Sequence, residues 1–308
     1  MNPLRSVILA AAGSEMIRRA VTAAAPTRAV VDRFVAGETT ADALRVATEL
    51  VGAGCRVTLD HLGEDVTVPA EAALTVDAYT ELLGALADAG LADRVEVSLK
   101  LSSLGQALDE ELAAGNAARI CAAAHAAGTT VTLDAEDHTT TDSTLRVLAR
   151  LRERWPSVGA VLQAYLRRSE DDCRALAGPG SRVRLCKGAY AEPDVVAFST
   201  AAEIRDNFMR CAEVLLTGRG YPMFATHDPV LIALVTDRIR AAGRGVGEVE
   251  FQMLHGVRPD EQRRLVDTGH IVRIYVPYGT QWYGYLMRRL AERPANAAFF
   301  LRALIGRR

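Results

Sequence analysis

Eight short runs of β-branched and apolar residues recur along the chain at near-even intervals, and this recurrence restricts the fold more than any other feature of the sequence. They are Val57 to Leu59, Val95 to Leu99, Thr130 to Leu133, Val158 to Leu162, Val183 to Cys186, Met223 to Ala225, Val249 to Phe251 and Val272 to Val276. Between them lie Ala- and Leu-rich stretches with helical spacing, such as Asn116 to Ala127 and Thr144 to Arg154. Each is long enough to carry the chain back to the start of a parallel neighbour. Strand and helix alternating eight times predict an α/β fold closed as a (β/α)8 barrel. No low-complexity linker interrupts the pattern, so residues 49–308 are read as one barrel. Residues 1–48 are read as a cap of two or three amphipathic helices with Ala, Val and Leu on one face.

A formal net charge of -2 gives no pull toward nucleic acid, which needs clustered positive surface, and small-molecule chemistry is favoured. The five cysteines, at 55, 121, 173, 186 and 211, are odd in number and show no C-x-x-C spacing. They read as small buried hydrophobes in a reducing compartment, not as a disulfide framework or a zinc knuckle. The apolar run from Val7 to Ala12 is marginal for a signal segment, and no later stretch is long enough to cross a bilayer. The expected location is the cytoplasm, free or peripheral at the inner face of the membrane. The C-terminal Phe299, Phe300, Leu301, Leu304 and Ile305 with Arg302, Arg307 and Arg308 would serve either membrane contact or packing on the barrel.

Catalytic groups of such barrels stand at the carboxyl ends of the strands, where side chains enter the mouth. Here those positions are polar almost every time: Asp60 and His61, Lys100, Asp134 with Glu136, Gln163, Lys187, Thr226 with His227, Gln252 and Tyr275. Unpaired, each would cost about 1–3 kcal/mol or more to bury, so a functional mouth explains the ring and a purely structural barrel does not. Lys100 and Lys187 are the only lysines in the chain; arginine supplies every other basic side chain. Arginine replaces lysine as a generic solvated cation but not as a compact ammonium in a tight site, which marks both survivors as candidates for function.

After the eighth run, Tyr285, Arg288, Arg289 and Glu292 stand at i, i+3, i+4 and i+7 of a helix ended by Pro294. Paired guanidiniums can grip a carboxylate in fork geometry. At the fifth strand, alternation places Arg184 on one face and Lys187 on the other, so the two could bracket a group lying across the strand end. Gly188 and Ala189 would let a planar ring or a phosphate approach the backbone. A lysine at a strand end also admits a Schiff-base lyase or aldolase using Lys100 or Lys187. A third reading is a barrel that binds an amino acid without catalysis. Asp134, Glu136, Asp137 and His138 with His227, Asp228 and His255 offer oxygen and imidazole donors for a divalent ion. Against a metal, the H-x-H and H-E-x-x-H spacings are missing and two lysines share the mouth. The partial G-x-G pairs at Gly52/Gly54, Gly178/Gly180 and Gly243/Gly245 lack the strand and helix context of a dinucleotide fingerprint.

Taken together, the motifs resemble the proline dehydrogenase family from about Leu59 to Leu304. The stretches that carry the resemblance are Ser98-Leu99-Lys100-Leu101-Ser102, Leu133-Asp134-Ala135-Glu136, Leu162-Gln163-Ala164-Tyr165-Leu166, Arg184 to Tyr190, Phe224-Ala225-Thr226-His227-Asp228-Pro229, and Tyr275 through Tyr285 to Glu292. Cys186 departs from the aliphatic residue usual at its position.

The resemblance implies a distorted barrel whose last helix lies over the mouth. It also implies non-covalent FAD and oxidation of L-proline to Δ1-pyrroline-5-carboxylate by hydride transfer from proline C5 to flavin N5. By the same resemblance Arg288, Arg289 and Lys100 hold the proline carboxylate, Asp134 orients Lys100, and Tyr190, Leu254, Tyr275 and Tyr285 shape the pocket. Ala135, Gln163, Arg184, Lys187, Gly188, Ala189, Thr226 and His227 would contact the cofactor, Arg184 and Lys187 also steadying the charge that grows on it. Glu64 resembles a gating carboxylate that pairs with an arginine of the last helix. Tyr275 implies preference for proline over hydroxyproline. A quinone or other acceptor would take the electrons. With no aldehyde dehydrogenase domain or DNA-binding arm in the sequence, the product is expected to pass to a separate pyrroline-5-carboxylate dehydrogenase.

Overall fold

The computed structural model describes residues 31–292, except for the side chains of Arg288 and of residues 290–292. Eight parallel strands close on one another in chain order: β1 (Arg56–His61), β2 (Val95–Leu99), β3 (Val131–Leu133), β4 (Gly159–Gln163), β5 (Arg182–Cys186), β6 (Tyr221–Ala225), β7 (Glu250–Leu254) and β8 (Ile271–Tyr278). The predicted barrel is therefore present, and every strand overlaps the run that predicted it. Around it stand α1 (Thr40–Gly52), α2 (Pro69–Asp88), α3 (Glu110–Ala126), α4 (Thr141–Arg154), α5 (Ser169–Leu176), α6 (Ala201–Thr217), α7 (Pro229–Ala241), α8 (Pro259–Asp267) and α9 (Trp282–Glu292).

Local chemistry sets the helix starts. Thr39 and Asp42 close a capping box on α1, as do Thr200 and Glu203 on α6. Proline opens α2, α7 and α8, where its missing N–H costs nothing.

Strand alternation divides the molecule into two interiors. Outward residues such as Val57, Leu59, Val97, Leu99, Leu185, Phe224, Phe251 and Ile274 pack against the helices to form the apolar core. The inward residues are different: Thr58, Asp60, Glu96, Ser98, Thr132, Arg184, Glu250, Gln252 and Arg273 are all buried. Branched aliphatics usually fill a barrel of this kind. This one is filled with charge, which is tolerable only if every charge is paired. Toward the amino-terminal end, Arg273 donates to Glu250 at 2.7 Å and approaches Glu96 at 3.7 Å, while Arg182 donates to Glu96. Thr58 and Thr132 hydroxyls complete the shell of Glu96 at 2.9 and 3.2 Å. Burial alone would raise the Glu96 carboxyl, yet Arg182, Arg273 and Arg184 hold it down at about 2.

Residues 1–30 of the expected cap, Pro294 and the C-terminal stretch from Phe299 to Arg308 lie outside the described residues. Of the expected cap, residues 31–34 are helical, and α1 runs to Gly52, contributing Ala43, Val46 and Ala47 to the core of the barrel. The apolar face of α9, with Trp282, Tyr283, Tyr285, Leu286 and Met287, packs with Val31, Phe34, Val35, Leu62 and Val257. Leu62 follows β1 and Val257 follows β7, so α9 is docked at the carboxyl-terminal end of the barrel. Trp282 Nε1 donates to Glu38 at 3.2 Å and adds a polar tie to the same seat. Among the described residues no helix is long and apolar enough to cross a membrane. Cys55, Cys121, Cys173 and Cys211 are buried free thiols and Cys186 is half-buried.

Candidate active site

The carboxyl ends of the strands bring together most of the residues singled out in the sequence. At the centre stands Asp134, one residue past β3, its backbone N–H donating to Leu99 O at 2.8 Å. Its Oδ1 accepts from Ser98 Oγ at 2.6 Å and from Arg184 Nη1 at 2.6 Å, and its Oδ2 accepts from Tyr275 at 2.7 Å. The Arg184 guanidinium also lies 5.3 Å from the Tyr275 ring centroid and 3.6 Å from Glu96, which links the mouth to the charged layer below. Burial and the negative charge of Asp134 and Asp60 raise the Tyr275 phenol well above its ordinary range, so it acts as a fixed donor.

Lys100, directly after β2, is held differently from the expectation. Its ammonium donates to both oxygens of Asp60, at 2.8 and 2.7 Å, and stands 3.9 Å from Asp134. The register explains this: Asp60 pairs with Ser98 on the neighbouring strand, so the next inward position after Ser98 reaches Asp60. Asp134, expected to orient Lys100, is occupied by Arg184 and Tyr275 instead. Burial alone would lower the Lys100 ammonium, but Asp60, Asp134 and Glu64 outweigh it and hold it above the ordinary range. That is opposite to what an amine nucleophile needs, and the lyase reading of Lys100 loses its basis.

Lys187 lies across β5 from Arg184, as alternation requires, and donates to Asp228 at 2.7 Å. Asp228 in turn caps α7 and accepts Val230 N–H at 3.0 Å. Thr226 Oγ1 accepts Asp228 N–H at 3.1 Å. His227 Nε2 accepts Leu254 N–H at 2.8 Å, which leaves the ring proton on Nδ1 in the neutral form. These partners already occupy the donors that a metal would use, and among the described residues no three His, Cys, Asp or Glu gather as a metal site.

The β5 loop is shaped by contacts the sequence did not suggest. Gly188 has φ +103°, and a Cβ there would lie 2.2 Å from the Tyr165 ring, so the glycine is required by Tyr165 as well as by its backbone. The Tyr165 hydroxyl donates to Glu192 at 3.0 Å, and the same carboxylate accepts His138 N–H at 2.9 Å and pairs with the His138 ring. One buried carboxylate thus ties the loops after β3, β4 and β5, with Tyr190 packed against the Tyr165, Leu166 and Ala197 cluster. Glu136 is buried as well and ties Ser102 to the loop after β3, accepting Ser102 N–H at 3.0 Å.

The rest of the expected set borders this region. Ala135, Glu64 and Leu254 are half-buried and Ala189 is exposed. Tyr285 is buried, and the half-buried Arg289 has its guanidinium 5.2 Å from the Tyr285 ring centroid. The side chain of Arg288 lies outside the described residues. Gln163 is 4% exposed, and its Oε1 has no hydrogen-bond partner among the described residues; the same holds for Nε and Nη2 of Arg184. These two side chains stand inside the barrel on adjacent strands.

Sequence reasoning missed Asp60 as the partner of Lys100, Glu192 as the tie between loops, and the whole layer of Glu96, Arg182, Glu250 and Arg273. A signal was present: Val-Glu-Val-Ser-Leu-Lys at 95–100 and Arg-Val-Arg-Leu-Cys-Lys at 182–187 alternate charge with apolar residues in strands whose outer faces are covered.

A closed parallel barrel with a charged, internally paired mouth at the carboxyl ends of its strands defines an enzyme of the (β/α)8 class acting on a small polar molecule. A family model described as proline dehydrogenase matches residues 43–302. The chain is 37% identical over 279 residues to proline dehydrogenase 1 of Bacillus subtilis, covering 91% of this chain and 92% of that one. It is 40% identical over 281 residues to the proline dehydrogenase of Deinococcus radiodurans, covering 90% of each. Among solved structures, proline utilization A from Bdellovibrio bacteriovorus, inactivated by N-propargylglycine, superposes with a TM-score of 0.78 at 26% identity. That match covers 86% of this chain and 32% of the larger protein, so the chain spans about a third of it. The chain belongs to the proline dehydrogenase family.

Proposed function

We propose that this protein oxidises L-proline to Δ1-pyrroline-5-carboxylate with non-covalently bound FAD, as the first step of proline breakdown. The observation that carries the reading is the Asp134–Arg184–Tyr275 cluster, in which Arg184, with the neighbouring buried Gln163, keeps hydrogen-bonding capacity in hand. Gln163 Oε1 can accept an N–H, and Arg184 Nε can donate, while Arg184 Nη2 faces Glu96 at 3.6 Å. The pyrimidine edge of a flavin carries both an N–H and carbonyl oxygens, so these atoms fit it. Ala135, Gly188, Ala189, Thr226, His227 and Lys187 complete the set that would hold FAD. FAD held there would supply the two-electron acceptor for the hydride from C5 of the substrate, and the proton released from the ring nitrogen as the C5=N bond forms would pass to solvent.

The protein's part is to position the substrate and to exclude water. Arg288 and Arg289 of α9, with Lys100 directly after β2, are assigned to the substrate carboxylate; Tyr190, Leu254, Tyr275 and Tyr285 are assigned to the ring. Clamping the carboxylate turns a collision into a fixed approach. Arg184, held rigid by Asp134, would stabilise negative charge on the reduced cofactor without having to reorient. Glu64, whose charge acts on Lys100 from the loop after β1, is assigned to closing the site over the ligand. A quinone or related acceptor, a separate pyrroline-5-carboxylate dehydrogenase, and a cytoplasmic location with peripheral contact at the inner membrane face complete the proposal.

An absorption spectrum tests it. The purified protein is expected to be yellow, and proline added without oxygen should bleach it. A colourless protein that takes up no FAD when supplied with it defeats the reading.

A further inference from the structure

We propose that Asp60 is the positioning residue for carboxylate recognition at the mouth: it grips the Lys100 ammonium with both oxygens and leaves one N–H for the ligand. The identity of that ligand as proline rests on the function proposed above; the grip on Lys100 does not.

An ammonium has three N–H donors. Two are used here, since Nζ lies 2.8 Å from Oδ1 and 2.7 Å from Oδ2 of Asp60. The third cannot serve Asp134 as a hydrogen bond, because 3.9 Å is too long and Ser98, Arg184 and Tyr275 already use its oxygens. It is the donor that remains for a bound carboxylate.

Asp60 is itself fixed. It is 1% exposed, and it sits within β1 with both neighbouring strands in register. Tyr79, buried in α2, lies 3.5 Å from its Oδ1 and is anchored by donating to Ser98 O at 2.6 Å and accepting His61 N–H at 3.1 Å. The arrangement matters because a free lysine loses considerable rotamer entropy when it binds. Held by Asp60, Lys100 has already lost that freedom before the ligand arrives. The side chain that follows it in the chain of contacts is therefore a support that does not itself touch the ligand.

The chain's composition makes this directly measurable. Lys100 and Lys187 are its only lysines, so protein grown with labelled lysine gives two side-chain ammonium signals by NMR, and K187M identifies which is which. In the intact protein the Lys100 signal should be sharp at neutral pH, protected from exchange with water. D60N preserves side-chain shape and leaves Asp134 nearby as a counter-charge. It should shift that signal and broaden it through exchange. Cyclopentanecarboxylate, a ring acid without an amine, is then titrated in. Its affinity, read from the Lys100 signal or from calorimetry, should fall by at least about tenfold in D60N. K100M should lose a similar amount by calorimetry, and D60N/K100M should bind within about twofold of K100M alone, since Asp60 has nothing left to hold.

The proposal is overturned if the Lys100 signal is indifferent to D60N, or if the two substitutions weaken binding independently so that the double variant loses the product of both. If D60N fails to fold, D60E, which keeps the charge but displaces both oxygens from the Lys100 ammonium, takes its place in the same cycle with K100M, and unchanged affinity in D60E overturns the proposal. A protein that binds the ring acid in this Asp60-dependent way but is not bleached by proline would refute the proposed reaction and leave the role of Asp60 standing.

Discussion

The Tyr275 hydroxyl donates to Asp134 Oδ2 at 2.7 Å, across the barrel from β8 to the end of β3. The other oxygen of Asp134 takes Ser98 and Arg184, so the phenol fixes the rotation of a carboxylate that in turn fixes Arg184. Y275F removes one hydrogen bond to a charged group and nothing else from this chain of contacts. A bond of that kind contributes about 1.5–3 kcal/mol, so kcat/KM for proline should fall roughly tenfold to a hundredfold with the fold intact by circular dichroism. Unchanged kcat/KM would show that Asp134 does not need the phenol.

How much of this was legible in the sequence depends on which interaction made the residue what it is. The run Val95 to Leu99 predicts β2 residue for residue, because both its ends are marked by polar neighbours. β7 extends to Leu254, beyond the predicted end at Phe251, because Gln252 points into a polar interior and reads in the sequence as a strand end. The ring of strand-end residues was visible because position in a barrel decides it. The choice of Asp60 over Asp134 for Lys100 was not, since both carboxylates end strands that flank β2 and only the register between strands separates them. The Glu96–Arg182 pair joins residues 86 positions apart, a partnership that exists only once the barrel closes.

That inner pair carries a prediction about acid stability. Arg182, Arg273 and Arg184 hold the buried Glu96 carboxyl at about 2 in the folded protein, against an ordinary 4.5. A depressed folded value means that the contribution is complete above the unfolded value and is lost as pH falls toward the folded one. Urea-unfolding stability should therefore decline from about pH 5 downward. E96Q should flatten the slope in that window. At neutral pH it should also lower stability by about 3–5 kcal/mol, because two buried guanidiniums, Arg184 and Arg273, and the half-buried Arg182 lose their shared counter-charge. A slope unchanged by E96Q would assign the acid sensitivity to other carboxylates.

On α9 the Arg289 guanidinium lies 5.2 Å from the Tyr285 ring centroid, so it has a flat partner as well as a charge. If it grips the substrate carboxylate, R289A should raise KM for proline roughly thirtyfold or more, the cost of leaving a charge unmatched. R289K keeps the charge but loses the planar fork and much of the stacking, and should recover only part of the affinity. A KM unchanged in R289A would remove Arg289 from the substrate site.

The sharpest structural test is at Gly188. Its φ of +103° lies where side chains other than glycine are strained, and the space a Cβ would need holds the Tyr165 ring, 2.2 Å away. Tyr165 cannot yield easily, because its hydroxyl is tied to Glu192 at 3.0 Å and its backbone N–H to Lys187 O at 2.8 Å. G188A should therefore cost about 2–5 kcal/mol, from backbone strain and overpacking together. The damage should concentrate in the loop that carries Lys187, Ala189 and Tyr190. Thermal unfolding reads the first effect, and hydrogen exchange across residues 187–198 reads the second. If Tyr165 is the obstacle, G188A combined with Y165A should be less destabilised than the sum of the two single variants, because the second substitution removes the ring that the new methyl strikes. Additive losses would mean that the backbone angle alone demands glycine there.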